Sequence, residues 1–142
     1  MTPSVSSHFG LQDPRFQSPV MPMITPTTIA TAGPVTYTPA QLMSGWILRD
    51  GNGGARTDTL PSAASMVQTV QGAMVGTAFD FELRNITATA VAITLAPGAG
   101  GTINPAASSV AEFNTRTYTF IFTNVTYGSE AYTVYSRATG PY

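Results

Sequence analysis

The chain has 142 residues, a formal net charge of −1 and charged side chains at 9% of its positions, whereas ordinary soluble domains carry roughly 25%. Its positive residues are six widely spread arginines, so we expect no nucleic-acid partner, which would need clustered positive charge. The chain has no cysteine, which excludes disulfides, thiolate metal sites and cysteine nucleophiles. No apolar run approaches the ~20 residues of a membrane span, so we expect no membrane partner. So little charge favours a surface that other subunits partly cover.

Residues 1–43 contain seven of the eleven prolines. Proline fixes φ and removes a donor, so this segment is predicted to be an extended N-terminal arm without a fold of its own. Disordered tails are poor in large apolar residues, yet this arm carries several. We therefore expect the arm to lie on its own domain, on a neighbouring subunit or on a larger lattice. The anchors predicted to bind the capsid or another partner are Phe9, Leu11, Phe16, Val20, Met23 and Ile24.

The stretch Gly45–Ala64 reads as a strand, a glycine-rich loop and the start of a helix. Asp58 or Thr59 is predicted to cap that helix, with Pro61 in its first turn. Apolar residues then recur at spacings of three and four, which predicts one helix near residues 60–74.

From Thr77 onward the apolar period is two, and turn signals recur about every ten residues. The segments Thr77–Asn85 and Ala88–Pro97 are predicted to form a hairpin that turns at Ile86 and Thr87. Residues 44–142 are therefore predicted to be mainly β: a small antiparallel β-sandwich or barrel, jelly-roll-like, with one α-helix.

Candidate metal and catalytic residues do not form a complete set. His8 is the lone histidine and has no partner for catalysis or metal binding. Asp50, Asn52 and Asp58 surround a glycine loop, but the twelfth position of a calcium-loop frame is Pro61. Asp50 and Asn52 are predicted to bond their own turn instead. We expect no metal and no cofactor.

Two further patterns also lack the geometry of an active site. Asp80 and Glu82 fall on the same strand face, whereas a glycosidase opposes its carboxylates across a bond. They are predicted to pair with an arginine such as Arg49 or Arg84. The loop Gly51–Gly54 follows a strand, but no Gly-Lys-Ser/Thr comes after it. We expect no catalytic residue, and hence no enzyme.

The aromatic residues divide into predicted core and predicted surface. Trp46, Tyr118 and Tyr132 are predicted core positions whose polar tips reach a partner. Tyr127 in a turn and Tyr135 on the other strand face are candidates for exposed contacts. Together with Arg56 they are the predicted self-association or loop contacts. A sugar-binding platform built from the aromatic residues remains an alternative.

Three stretches carry a resemblance over residues 45–136: WILRDGNGGARTDTLPSA from Trp46, GTAFDFELRN from Gly76 and GSEAYTVYS from Gly128. They resemble a small structural protein of tailed phages and large DNA viruses. The resemblance implies a virion component, above all a capsid decoration or cement protein. Such proteins are commonly β-rich, often trimeric, and often bridge capsomers with extended arms. No catalytic residue carries over.

We therefore expect a decoration protein on the capsid surface of a virion, such as that of a bacteriophage. Its expected partners are the major capsid protein and copies of itself in a homotrimer. The alternative is a receptor- or glycan-binding module of a head or tail fibre, and a glycan array would separate the two. An envelope-hydrolysing enzyme is disfavoured because no nucleophile or acid–base set converges.

Overall fold

The computed structural model describes residues 24–106 and 108–137. Within these ranges the chain forms nine β-strands and two short helices. The helices are α1 (Pro39–Met43) and α2 (Ala63–Thr69). The strands are β1 (Thr27–Ile29), β2 (Trp46–Arg49), β3 (Arg56–Thr59), β4 (Ala78–Asn85), β5 (Ile93–Ala96), β6 (Gly101–Asn104), β7 (Ser108–Val110), β8 (Thr115–Asn124) and β9 (Ala131–Arg137). The prediction of a mainly β fold is confirmed.

The described strands form two sheets. The large sheet has the order β1-β2-β4-β8-β9-β6, and the small sheet has the order β3-β5-β7. The pairs β4–β8, β8–β9 and β5–β7 are antiparallel, whereas β1–β2, β2–β4, β3–β5 and β6–β9 are parallel. The sheets are therefore mixed and not purely antiparallel as predicted.

The predicted hairpin between β4 and β5 is wrong, because the two strands lie in different sheets. Asn85, the last residue of β4, binds both the segment that follows β4 and the small sheet. Its Nδ2 donates to the carbonyl oxygens of Val91 at 2.8 Å and Val110 at 3.0 Å, and its Oδ1 accepts from Thr87 N–H at 3.0 Å. The side chain thus binds the segment that leaves β4 and holds it against the small sheet.

One hydrophobic core includes residues from both sheets and both helices. Large-sheet strands contribute the alternating buried residues of β4, β8 and β9, as the period of two predicts. Phe120 lies at its centre, with ring centroids 4.9 Å from Phe79, 5.0 Å from Phe122 and 4.4 Å from Tyr132. Aromatic pairs at such separations add about 0.5–1.5 kcal/mol each beyond area burial.

Helix α2 is shorter than the predicted range of 60–74, and its cap differs. Ser62 is the N-cap and accepts from Ser65 N–H at 3.2 Å. Asp58 does not cap the helix, because it lies within β3 and is fully buried. Helix α1 was not predicted; Thr38 and Gln41 form its capping box and Pro39 occupies its first turn.

Residues 27–43 belong to the folded body, although the predicted arm extended to residue 43. Strand β1 pairs in parallel with β2, with Thr27 opposite Ile47 and Ile29 opposite Arg49. Leu42 of α1 is fully buried in the core. The arm anchors Phe9, Leu11, Phe16, Val20 and Met23 lie outside the described residues.

Candidate functional site

The glycine-loop stretch contains a buried ion pair, formed between β2 and β3. Arg49 Nε lies 2.6 Å from Asp58 Oδ2, and Arg49 Nη2 lies 3.2 Å from Oδ1. Both side chains are fully buried. The same carboxylate accepts from the Tyr37 hydroxyl at 2.8 Å and from Val35 N–H at 3.0 Å. Burial, and then the neighbouring Asp58 charge, raise the pKa of Tyr37.

The remaining donors of Arg49 bind the chain that follows β1. Its Nη1 donates to Thr31 O at 2.9 Å and its Nη2 to Gly33 O at 2.6 Å. A buried charge is costly unless it is paired and its other hydrogen bonds are made. Here the Arg49 guanidinium and the Asp58 carboxylate are hydrogen-bonded to each other, and Arg49 also binds the segment after β1. We therefore interpret Arg49 and Asp58 as a structural clamp.

The incomplete calcium pattern does not converge in space. Asp50 Oδ1 accepts from Asn52 N–H at 2.7 Å, so the predicted local turn is confirmed. Asn52 adopts a positive φ of 50°, a conformation that asparagine tolerates. Asp58 faces the interior and binds Arg49 instead. No group of three or more His, Asp or Glu side chains within the described ranges could hold a metal ion.

Arg56, a predicted contact residue, binds its own loop. Its Nε donates to Gly51 O at 3.1 Å and its Nη1 to Ala55 O at 3.3 Å. A Cβ on Gly54 would lie 2.6 Å from Arg56 Nη1. The guanidinium therefore lies over the glycine loop, and these local bonds account for its position.

The main candidate surface is the outer face of the large sheet, opposite the core. Its side chains alternate with the buried ones along each strand and are partly or largely exposed. Threonine, aromatic and aliphatic groups predominate over charges. The outer face comprises Trp46, Leu48, Asp80, Glu82, Arg84, Thr117, Thr119, Ile121, Thr133, Tyr135 and Arg137.

Two of the charged residues on this outer face, Asp80 and Arg137, are paired with each other. Arg137 Nη2 pairs with Asp80 Oδ2, and the Thr119 hydroxyl donates to Asp80 Oδ1 at 2.7 Å. Hydrogen bonds from Thr119 and Arg137 hold the pKa of Asp80 below its usual value. Asp80 pairs with an arginine as predicted, but the arginine is Arg137 and not Arg49, which is buried with Asp58, or Arg84. Adjacent Thr117 and Glu82 share a longer contact of 3.4 Å.

A cleft of about 310 Å³ opens on the outer face beside Trp46. Ile24, the arm anchor within the described residues, lines this cleft and is 62% exposed. The other lining residues are Gly45, Trp46, Asp80, Phe81, Glu82 and Thr117, from β4, β8 and the β2 end of the sheet. Trp46 is thus half-buried on the outer face and not a core residue as predicted.

Tyr118 and Tyr132 are core residues, as predicted, and their hydroxyls are bonded. The Ser108 hydroxyl donates to the Tyr118 hydroxyl at 3.0 Å, while the Tyr132 hydroxyl donates to Pro61 O at 2.9 Å. Burial raises the pKa of Tyr118, and it raises the pKa of Tyr132 to about 12.

The predicted surface tyrosines are exposed but lie apart. Tyr127 is 91% exposed in the turn between β8 and β9, and Tyr135 is 44% exposed on the outer face. Sequence reasoning missed Phe113, which is 53% exposed and has a positive φ of 54°. An apolar residue in a turn gives no sequence signal for either property.

Within the described ranges no helix is long and apolar enough to cross a membrane. No protein-family model, no curated protein and no solved structure matches this chain.

Proposed function

We propose that the chain is a capsid decoration protein that binds an assembled shell through its N-terminal arm and associates with copies of itself. The observation that carries the proposal is the outer face of the large sheet, on which Ile24 of the arm already lies. This face is broad and rich in threonine, and two of its charged residues, Asp80 and Arg137, neutralise each other. Such a composition suits a surface that is covered in the assembled particle, by the arm or by another subunit.

The surroundings of the outer face support a binding role over a catalytic one. Asp80 is engaged by Arg137 and Thr119, and Glu82 is contacted by Thr117. Neither carboxylate faces a nucleophile or an opposed acid within the described residues. A general acid or base needs a free proton-transfer position near its substrate. These carboxylates instead fix the orientation of neighbouring side chains.

The proposed mechanism is additive burial. Each large apolar anchor contributes about 1.5–3 kcal/mol when fully buried, before the cost of ordering the arm. The weak net charge predicts that binding depends little on salt. Repetition over a shell converts modest contacts into strong retention, because a subunit bound at several points rarely leaves.

Copy number tests the proposal directly. Quantitative mass spectrometry of purified particles is expected to find the protein at a copy number comparable with that of the major shell protein. A few copies per particle would instead support a fibre component, and absence from purified particles would refute a virion role.

A glycan-binding module is the second candidate, favoured by the chemistry of the cleft. Trp46 lies there beside Asp80, Glu82 and Thr117. An apolar ring with a few convergent oxygen acceptors and a hydroxyl can recognise the faces and hydroxyls of a sugar. A glycan array with Trp46→Ala as the matched variant tests this alternative. Binding that the variant abolishes would support it, whereas no binding to any glycan would exclude it.

A further inference from the structure

The cleft beside Trp46 lies where the described chain begins. Ile24 is part of its lining, and most of the Ile24 side chain is still exposed. The buried donor atoms Trp46 Nε1 and Arg84 Nε have no hydrogen-bond partner among the described residues. Both belong to outer-face side chains on β2 and β4, which pair with each other. This part of the face is therefore incomplete within the described residues.

The position of Ile24 also gives the direction of the chain. Strand β1 lies at the edge of the large sheet, next to β2. Ile24, three residues before Thr27, shares the cleft with Asp80 of β4 and Thr117 of β8. From Thr27 to Ile24, the chain thus passes from the sheet edge inward over the outer face.

The remaining width of the sheet is short compared with the preceding segment. Strands lie about 4.8 Å apart, so the distance from β8 across β9 to β6 is about 10 Å. Six extended residues span about 20 Å. The six residues before Ile24, Ser-Pro-Val-Met-Pro-Met at 18–23, contain no charge. Their prolines favour extended backbone, so the segment suits a neutral, weakly polar surface.

We propose that residues 18–23 bind across the outer face of their own chain, between Trp46 and Tyr135. Because the segment is joined directly to Ile24, its effective concentration at this face is on the order of millimolar, and binding within one chain is favoured over exchange. Val20 and Met23 then serve as internal anchors. Phe9, Leu11 and Phe16 remain for a neighbouring subunit or shell protein.

Engineered disulfides test this placement on the free protein. The chain contains no cysteine, so a two-cysteine variant forms one defined bridge. Met21→Cys with Tyr135→Cys is expected to oxidise within the monomer at least tenfold faster than Met21→Cys with Tyr127→Cys, because Tyr127 lies in the turn beyond the face. Equal rates for the two variants would overturn the proposal. A bridge that forms only between two chains would also overturn it, and would place the arm on a second copy.

Trp46 is the chain's single tryptophan and gives a second measurement that needs no cysteine. Val20→Asp with Met23→Asp is expected to raise the acrylamide quenching constant of Trp46 about twofold. Val5→Asp, the matched control further along the arm, is expected to leave it unchanged. An unchanged constant in the Val20/Met23 variant would contradict binding at this face. Neither experiment uses a shell, so a failure here is distinguishable from a failure of the proposed decoration function.

Discussion

Asp58→Asn is expected to destabilise the protein more than any other isosteric change of a described acidic residue. The carboxylate accepts four hydrogen bonds: two from Arg49, one from the Tyr37 hydroxyl and one from Val35 N–H. The amide keeps the shape of the side chain but removes its charge and one acceptor. A fully buried guanidinium then remains without a counter-ion, which typically costs about 3–5 kcal/mol.

That loss is large for a protein of this size. Total stabilities are about 5–15 kcal/mol, so the substitution would remove a third or more of a mid-range value. Chemical denaturation followed by Trp46 fluorescence measures it, because Trp46 begins β2, the strand that ends at Arg49. A lowered midpoint with an unchanged slope would report stability itself.

Asp50→Asn is the matched control. The Asp50 carboxylate accepts from Asn52 N–H in its own exposed turn, so we expect a loss below about 1 kcal/mol. Arg49→Met with Asp58→Asn should cost less than the sum of the two single variants, because neither charge is then left alone. A loss below about 1 kcal/mol for Asp58→Asn would refute the clamp.

Three further predictions concern packing and pH. Gly98→Ala should lower the free energy of unfolding by about 1–3 kcal/mol, because the new Cβ would overlap the carbonyl oxygens of Leu60 and Pro61. Gly33→Ala, where the new Cβ meets open space, should be nearly neutral, and thermal denaturation of both variants measures the difference. Stability should fall as pH rises from 10 toward 12, because burial raises the pKa of Tyr118 and raises that of Tyr132 to about 12. The unfolded chain therefore releases these protons at a lower pH than the folded chain does. Circular dichroism measured against pH checks this, and equal stability at pH 10 and pH 12 would contradict it. The lowered pKa of Asp80 predicts a small stabilisation that is present above pH 4 and lost in more acidic solution. Asp80→Asn should remove this dependence of stability on pH. If stability fell with acid in the variant as it does in the unaltered protein, the contribution of Asp80 would be excluded.

The local pattern of the strands could be predicted from sequence, because alternation reports which side faces the core. Tyr118, Phe120 and Phe122 are all fully buried, as their spacing in β8 indicates. Strand partners could not be predicted in this way. Alternation is the same in parallel and antiparallel pairs, and the Asn85 side chain at the end of β4 binds residues up to 25 positions away.

The two errors in the first half of the chain have specific physical causes. Asp58 lies three residues before Pro61 and fits a helix cap locally, but it pairs in the interior with Arg49, nine residues earlier. The prolines of residues 1–43 predict an extended segment without a fold of its own, yet Pro39 lies in the first turn of α1, where a missing N–H costs nothing. In both cases a local rule has two outcomes, and tertiary context decides between them.

For the outer face, the sequence predicts that Tyr135 is a candidate for exposed contacts and that other subunits partly cover the surface. It did not identify the cleft, since this depends on Ile24 meeting β4 and β8 in space. Trp46 was predicted to be core because a lone tryptophan in an apolar run is usually buried. Its position on the outer face follows from the register in which it lies opposite Glu82.

Co-sedimentation with assembled shells tests the central proposal most directly. The arm variant carries Phe9→Ser, Leu11→Ser and Phe16→Ser, and its control carries Met74→Ser and Val75→Ser, which remove exposed apolar surface from the folded body. We predict that the arm variant binds at least tenfold more weakly than the unaltered protein, while the control binds normally. Equal binding by the arm variant and the unaltered protein would contradict the proposed role of the arm.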